Sequence, residues 1–446
     1  MIIVDRALAE REASGRPIRV GLVGAGFMGQ GLANQIVNTT PGMALVAVAN
    51  RRPERATSIY RYAGIEDPVI VENVTALDEA IRSRRAAVAE DALLLAGSSS
   101  IDILVDVTGS VEHGARVALA AFEHGIHVLL MNAEIDATIG PILQTYARRA
   151  GVIMSACDGD EPGVQMDLFR WVRGLGLIPR VMGNVKGLQD RYRNPTTQQA
   201  WAQQWGQNPT MVTSFADGSK ISFEQSIVAN ATGFRVLQRG MSRGQVHDTD
   251  AMTLAERYDI DQVRQVGGIV DYTVGPAGVK VFCLAEHPDP KQQHYLKLYK
   301  MGDGPLYPFW IPYHLVHFEV PGSIARVVLF KDEVAPPLGG PVVEVCAIAK
   351  RDLSAGETLD VYGGYMTYGE AVNTDEMRTG RYLPEGLVEG CTLLRDIPQD
   401  TVLTYADVRL PPDRIADRLR AEQYRHFAGD PWLEELLDVR PAAAAT

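Results

Sequence analysis

The 446-residue chain has few cysteines and no long apolar run, and both shortages narrow the class of protein. Its four cysteines lie far apart without a CxxC pair, which argues against a zinc site and against a disulfide scaffold. No apolar run approaches the length of a membrane span, and residues 1–17 lack the apolar core of a signal peptide. The sequence therefore predicts a cytoplasmic protein without a membrane partner.

The chain also lacks an excess of positive charge. It contains 43 Lys and Arg residues and 55 Asp and Glu residues, which gives a formal net charge of −12. Nucleic-acid-binding proteins usually carry a basic stripe, so we expect no nucleic-acid partner. The chain is too long for one compact core, and its length predicts two or three domains.

A glycine-rich turn follows a short apolar run near the start of the chain. The run from Ile18 to Val23 precedes three glycines at GxGxxG spacing and then residues suited to a helix. This is the strand–turn–helix context of a dinucleotide fingerprint: the glycines allow a tight turn, approach of the pyrophosphate and close helix packing. An ordinary glycine-rich turn is the alternative. The contacts predicted at this helix N-terminus are Gly24, Gly26, Phe27, Met28 and Gly29.

The end of the second predicted strand bears on the choice of nucleotide. The strand from Met43 to Ala49 is followed by Asn50, Arg51 and Arg52. A carboxylate at this point would hold the ribose 2′-hydroxyl of NAD, whereas arginines can pair with the 2′-phosphate of NADP. The pattern favours NADP(H), with two solvated surface arginines as the alternative.

Two further apolar runs, 101–107 and 126–131, are typical of buried parallel strands. In an open α/β sheet the carboxyl ends of the strands face the ligand. The residues that we therefore expect beside the nicotinamide are Thr108, Gly109, Asn132 and Glu134. The pattern over residues 1–157 predicts an α/β fold with a Rossmann-type doubly wound parallel sheet.

Three carboxylates follow the last strand of this sheet, Asp158, Asp160 and Glu161. They repel one another and make a poor core, yet they lie where a substrate-facing loop is expected. Hard oxygen ligands suit Mg²⁺ or Mn²⁺, so these residues are candidate ligands of a divalent cation. A solvated acidic turn is the alternative.

The glycine motif and three later segments resemble the homoserine dehydrogenase superfamily. That family carries Ala-Asn-Lys at a strand end, a glycine-rich substrate loop, and an Asp and Lys pair on a helix of the substrate domain. The counterparts here are 132–134, 158–162, and Lys220 with Glu224. Glu134 replaces the family's lysine, and Lys220 and Glu224 exchange the signs of the pair, so oxidation of homoserine is not expected. The i, i+4 spacing alone favours a surface ion pair, but the resemblance implies an active-site position for both residues.

The C-terminal third is similar to a SAF domain, a β-clip of short strands, in residues 343–359 and 394–404. Over nearly its full length the chain resembles the deoxyxylulose-5-phosphate reductoisomerase-like proteins. This resemblance implies a homodimer, NADPH, a divalent cation, and conversion of 1-deoxy-D-xylulose 5-phosphate to 2-C-methyl-D-erythritol 4-phosphate in isoprenoid biosynthesis. The implied domains are a Rossmann domain (1–157), an α+β substrate and dimerisation domain (158–340), a SAF-like β domain (341–412), and a helix and tail (413–446).

A phosphorylated substrate of this kind requires cations. The candidates that follow or end a predicted strand are Lys186, Arg191, Arg193 and Asn194, with Arg235 and Arg243 in reserve. The candidate catalytic residues are Lys186, Lys220 and Glu224. Lys220 would stabilise an oxyanion or relay a proton, and Glu224 would orient it and tune its pKa.

Two other functions stay open. One is an NADP-dependent dehydrogenase of a sugar acid or polyol, which needs neither a metal nor an isomerisation. The other is a non-enzymatic sensor that binds NADP(H) and reports to a partner.

The segment 307–317 gathers aromatic residues, prolines and two histidines. It is either a lid over the active site or, as such aromatic density favours, part of a core or dimer contact. We expect His314 and His317 to be structural.

Overall fold

The computed structural model describes residues 2–242, 245–246, 250–275 and 278–438. Arg243 and the end of the predicted C-terminal tail lie outside the described residues. The strands are β1 (Ile18–Val23), β2 (Met43–Ala49), β3 (Val69–Val71), β4 (Ala87–Ala89), β5 (Ile103–Asp106), β6 (His127–Leu130), β7 (Met154–Ala156), β8 (Ile178–Lys186), β9 (Ile269–Val274), β10 (Val281–Glu286), β11 (Tyr307–Ile311), β12 (Val343–Ala349), β13 (Thr367–Asn373), β14 (Thr392–Leu393) and β15 (Val408–Arg409).

The α-helices, in the same order along the chain, are α1 (Ile2–Ala13), α2 (Phe27–Thr39), α3 (Pro53–Tyr62), α4 (Val74–Arg82), α5 (Ala92–Ala96), α6 (Val111–Glu123), α7 (Ala133–Arg149), α8 (Glu161–Gly174), α9 (Pro195–Trp205), α10 (Pro209–Asp217), α11 (Ser219–Thr232), α12 (Ile260–Val266), α13 (Pro290–Leu298), α14 (Val320–Ala325), α15 (Thr374–Thr379), α16 (Ile415–Ala428) and α17 (Trp432–Asp438). None of the helices in the described ranges is long and apolar enough to cross a bilayer.

The chain divides into two compact units with interleaved segments. Unit 1 contains the segment that ends at Asp160, then Leu315–Pro336 and Ile415–Leu437, and unit 2 contains Glu161–His314 and Pro337–Arg414. The segment predicted as a separate SAF-like domain, 341–412, therefore lies in the same unit as 161–314. The ranges of the four domains proposed from the sequence stay predictions.

Unit 1 is built on a seven-stranded sheet in the order β3-β4-β2-β1-β5-β6-β7, and its strand pairs are parallel. Its strands are short apolar runs, as expected for a parallel sheet that is covered on both faces. The strand order reverses between β1 and β5, so the residues that follow these two strands flank the crevice in which such sheets bind ligands. The predicted Rossmann-type fold is confirmed.

Unit 2 contains a four-stranded sheet in the order β11-β10-β8-β9, with only the β8–β9 pair parallel. Helices α8 and α11 pack on this sheet, and the antiparallel pair β12–β13 packs against α11. Every residue of α11 from Ser219 to Ala231 is buried. A helix buried on all sides is usually apolar throughout, so the polar side chains of α11 require polar partners inside unit 2.

Candidate active site

The glycine turn of unit 1 has the shape that a dinucleotide pyrophosphate requires. Gly24 has a φ of 110°, and a Cβ on Gly29 would lie 2.7 Å from the Gly24 carbonyl oxygen, so both positions need glycine. A Cβ on Gly26 would meet nothing within 4 Å, which leaves space over the turn. Because Gly26 offers no side-chain cap, the first N–H groups of α2, beginning at Phe27 and Met28, are available to an anion.

A basic cleft lies at the end of β2. It has a volume of about 390 Å³ and is lined by Asn50, Arg51, Arg52 and Arg55. None of the three guanidinium groups has an ion pair among the residues that the structure describes, and the Asn50 side chain accepts a hydrogen bond from the Arg52 backbone N–H (3.0 Å). Arg55 was not predicted from the sequence, although its spacing from Arg51 and Arg52 across the first turn of α3 was a usable signal. The cleft suits a phosphate monoester.

The ends of β5 and β6 are held together by a buried carboxylate, Asp106. The Thr108 backbone N–H and hydroxyl donate to one of its oxygens (2.9 and 2.7 Å), and the Asn132 amide donates to the other (3.0 Å). Burial raises the pKa of Asp106 although these hydrogen bonds oppose the shift. Asn132 also caps α7, which places Glu134 in the first helical turn, 1% exposed. Asn132 and Glu134 therefore shape the loop, and contact of these residues, Thr108 and Gly109 with the nicotinamide stays a prediction.

The predicted divalent-cation site at Asp158, Asp160 and Glu161 is not supported. The Asp158 carboxylate pairs at 2.6 Å with the guanidinium of Arg326, which is 2% exposed. The Glu161 carboxylate pairs with the ammonium group of Lys186. The Asp158 and Glu161 carboxylates thus each have a cation beside them that would repel Mg²⁺. Within the described ranges, no group of three or more His, Cys, Asp or Glu side chains could hold a metal ion.

Unit 2 contains a buried charged cluster that joins three of its elements. Lys186 at the end of β8 pairs with Glu161 at the start of α8, and its Nζ lies 3.1 Å from Glu224 Oε2 on α11. The Asn184 amide, two residues before Lys186 on the same face of β8, donates to Glu161. The His314 Nε2 atom lies 3.5 Å from the other Glu161 oxygen. We call Glu161, Lys186 and Glu224 the Lys–Glu cluster.

The ion pairs set the protonation of the Lys–Glu cluster. Burial alone would raise the pKa of Glu161, but the Lys186 ammonium, a hydrogen bond with Glu224 and the His314 ring hold that pKa well below its usual range. Burial would lower the pKa of Lys186, but the two carboxylates raise it above its usual range. At neutral pH Lys186 is therefore protonated and Glu161 ionised, so the cluster holds a proton on Lys186 Nζ in a buried place.

Two amide side chains beside the cluster have unused hydrogen-bonding atoms. Both amide atoms of Gln165, one turn after Glu161 on α8, are buried without a hydrogen-bond partner among the described residues, and so is Asn184 Oδ1. Leaving such an atom unsatisfied costs about 1–3 kcal/mol. Sequence reasoning missed Gln165, Asn184 and the position of His314, although the i, i+4 and i, i+2 spacings to Glu161 and Lys186 were visible.

The remaining predicted site residues of unit 2 lie in several environments. Lys220 is buried on α11, one turn before Glu224. Arg193 pairs with Asp190 (3.1 Å), and the Asn194 side chain caps α9 by accepting from the Thr197 N–H. Their role in substrate binding stays a prediction. Arg191 lines a separate cleft in unit 2, and Arg235 pairs with Asp375 (2.5 Å).

Two segments of the chain match models of known protein families. Residues 18–130 match the model of the oxidoreductase family with an NAD-binding Rossmann fold. Residues 159–320 match the model described as oxidoreductase DRL, catalytic domain, which spans the Lys–Glu cluster. The comparison with curated proteins gave no match.

Solved structures resemble the chain at low identity. The scyllo-inositol dehydrogenase of Lactobacillus casei, solved with NAD(H) and scyllo-inositol, is 11% identical, with 72% of this chain and 92% of that chain covered and a TM-score of 0.40. The myo-inositol 2-dehydrogenase of Lactobacillus plantarum is 13% identical, with 61% and 75% covered and a TM-score of 0.35. Nothing about substrate follows from likenesses of this size.

The family matches correct the resemblance drawn from the sequence. Both matched models describe oxidoreductases, and the assignment to the reductoisomerase-like proteins and to isoprenoid biosynthesis is wrong. The glycine turn of unit 1 and the Rossmann match agree that a nicotinamide dinucleotide is bound there. The chain is therefore an NAD(P)-dependent oxidoreductase.

Proposed function

We propose that the chain is an NADP(H)-dependent dehydrogenase of a polyol or a sugar acid. The observation that carries this proposal is the buried Lys–Glu cluster, which holds an ammonium proton in unit 2. Interconversion of an alcohol and a carbonyl needs such a group, because the substrate oxygen gains or loses a proton as a hydride moves to or from carbon.

Lys186 is the proposed proton donor to the substrate. The nicotinamide, when bound, supplies the hydride. In the reducing direction Lys186 Nζ donates a proton to the carbonyl oxygen, which becomes the hydroxyl oxygen of the product. Glu161 and Glu224 orient the ammonium group, since both carboxylates accept from Nζ. The His314 side chain is 24% exposed and lies beside Glu161, so it can pass a replacement proton from solvent to the cluster.

The unpartnered amide atoms support a substrate with several hydroxyl groups. One substrate hydroxyl can accept from Gln165 Nε2 while it donates to Asn184 Oδ1, and a second hydroxyl can donate to Gln165 Oε1. A substrate with a single polar group would leave part of this set unsatisfied, at about 1–3 kcal/mol for each buried atom. The phosphorylated substrate expected from Arg191 and Arg193 stays a prediction, and substrate tests should therefore include phosphorylated polyols.

NADP(H) is the proposed form of the cofactor. The cleft lined by Arg51, Arg52 and Arg55 contains three cations and no carboxylate among its described lining residues. A ribose 2′-phosphate is the part of NADP that would use these guanidinium groups, whereas NAD presents only a hydroxyl there.

The proposal is tested by following nicotinamide absorbance with a panel of polyols, sugar acids and their phosphates. We expect reduction of NADP⁺ by at least one of them, slower reduction of NAD⁺, and no loss of rate when a chelator is added. Tight binding of NADPH without turnover on any member of the panel would instead favour the sensor function.

The setting of the enzyme also stays a proposal. None of the four cysteines, all of which lie in the described part of the chain, forms a disulfide, and each is buried, which suits a reducing cytoplasm. Sedimentation velocity tests the expected homodimer, which would have twice the 48.7 kDa of the chain.

A further inference from the structure

A second cleft in unit 2 contains none of the residues of the Lys–Glu cluster. It has a volume of about 260 Å³ and is lined by the loop after β8, the start of α11 and part of β13. Gly218, which caps the N-terminus of α11, and Ser222 of α11 both line it and lie about one turn apart. Glu224 follows Ser222 by two residues, which corresponds to a rotation of about 200° around the helix. The cleft therefore lies on the side of α11 opposite Glu224 and the Lys–Glu cluster. We call it the Arg191 cleft.

The charges in the wall of the Arg191 cleft are balanced. Three carboxylates line it, and each has its own cation: Asp190 pairs with Arg193 (3.1 Å), Asp217 with Lys350 (2.9 Å) and Glu370 with Arg239 (3.2 Å). Arg191 is a fourth cation, and the nearby Asp400 carboxylate acts on its charge. Four positive and four negative groups therefore compensate one another around the cleft, so the wall attracts neither a cation nor a phosphate strongly.

Arg191 itself is held in place by the aromatic residues of the cleft. Its Nη1 donates to the Tyr368 hydroxyl (3.3 Å), and its guanidinium lies over the Tyr368 ring, 5.7 Å from the centroid. The Tyr368 and Tyr192 hydroxyls both donate to Asp400 (2.9 and 2.7 Å). These hydrogen bonds fix the rings of Tyr192 and Tyr368 in the wall, and Tyr272 adds a third ring. Rings of this kind pack against the C–H faces of a sugar or cyclic polyol.

One buried acceptor in the Arg191 cleft has no partner. Gln189 Oε1 is buried and makes no hydrogen bond to any residue that the structure describes. Its amide is seated against Gly218, where a Cβ would lie 2.9 Å from Gln189 Nε2. An acceptor in this position needs a donor from a ligand or from water, and a ligand hydroxyl provides one.

We propose that the Arg191 cleft is a second ligand site, which binds a neutral polyhydroxylated molecule of about monosaccharide size. The balanced charges exclude strongly ionic ligands, the three tyrosines provide packing surfaces, and Gln189 Oε1 and Arg191 provide an acceptor and donors for hydroxyl groups. The volume of about 260 Å³ lies just below the usual range of about 300–1,000 Å³ for ligand pockets, which suits a molecule as small as a six-carbon polyol.

The test is calorimetric titration of the full chain with myo-inositol and D-sorbitol, and with inorganic phosphate for comparison. All titrations use the Lys186→Met background, in which the Lys–Glu cluster is altered but the Arg191 cleft is intact. Gln189→Ala and Tyr192→Ala should each weaken polyol binding about tenfold. Leu188→Ala is the matched control, because Leu188 is 45% exposed in the same loop and does not line the cleft.

Polyol binding that depends on both Gln189 and Tyr192 but not on Leu188, with no binding of phosphate, supports the second site. The proposal is overturned by polyol binding that neither substitution changes, by absence of polyol binding, or by phosphate binding that is lost in Gln189→Ala. Thermal melting confirms that each variant is folded. Because the readout is binding in a Lys186→Met background, these outcomes do not depend on whether the wild-type chain oxidises a polyol.

Discussion

Replacement of Arg55 by alanine should weaken the binding of NADPH and leave the binding of NADH almost unchanged. Arg55 lines the basic cleft at the end of β2, and its guanidinium has no ion pair among the described residues, so its removal breaks no contact that holds the fold. A hydrogen bond to a charged group is worth about 1.5–3 kcal/mol, and exposure to solvent reduces this to about 1–2 kcal/mol. The Kd for NADPH should therefore rise about 5- to 30-fold.

The assay is titration of the nicotinamide fluorescence of NADPH and NADH with the wild-type chain and the Arg55→Ala variant. The Kd for NADH should change less than about twofold, because NADH has no 2′-phosphate. The matched control is Glu54→Gln, which changes the charge of the neighbouring residue in the first turn of α3 but does not line the cleft. The difference between wild type and Arg55→Ala should shrink at high salt, since the interaction is exposed. Equal weakening of NADPH and NADH, or no change for NADPH, would refute the assignment of the cleft.

Two predictions concern stability. Burial raises the pKa of Asp136 to about 7, above its value in the unfolded chain. The contribution of the protonated Asp136 to the free energy of unfolding is therefore fully present below about pH 4 and is lost as the pH rises through 7. Asp136→Asn should match the wild type at pH 4 and exceed its free energy of unfolding by up to about 4 kcal/mol at pH 8, and urea unfolding at both pH values checks this. Arg326→Met leaves Asp158 as a buried charge without its guanidinium, and should lower the free energy of unfolding by about 3–5 kcal/mol, whereas Arg326→Lys should lower it less. A loss below about 1 kcal/mol in Arg326→Met, measured in the same way, would contradict the importance of this pair.

The nucleotide-binding half of the chain was predictable because its signals are local. The GxGxxG turn, the arginines after β2 and the apolar strands each occupy a few consecutive residues, and turn geometry dictates which residue types fit. The position of Glu134 was harder to predict. Asn132 caps α7, which begins at the next residue, and Glu134 is therefore buried in the first turn of this helix.

The surroundings of Asp158, Asp160 and Glu161 and of the Lys–Glu cluster were not predictable from the sequence, because contacts between residues far apart in the chain decide them. Asp158 is neutralised by Arg326, which is 168 positions away in the sequence. Glu224 on α11 pairs with Lys186 at the end of β8. The sequence spacing pointed instead to Lys220, which precedes Glu224 by four residues on the same helix. Three carboxylates within four residues are compatible with a metal site, with a solvated turn and with buried ion pairs, and only the fold distinguishes these cases.

The most direct test of the central claim is a comparison of turnover by the wild-type chain and the Lys186→Met variant, with NADP⁺ and the best substrate of the panel. Because general acid–base catalysis contributes about 10²- to 10⁴-fold, we expect kcat to fall by this factor while the Kd for NADPH changes less than about twofold. A folded Lys186→Met variant whose kcat stays within about tenfold of the wild type would contradict the assignment of Lys186 as the proton donor.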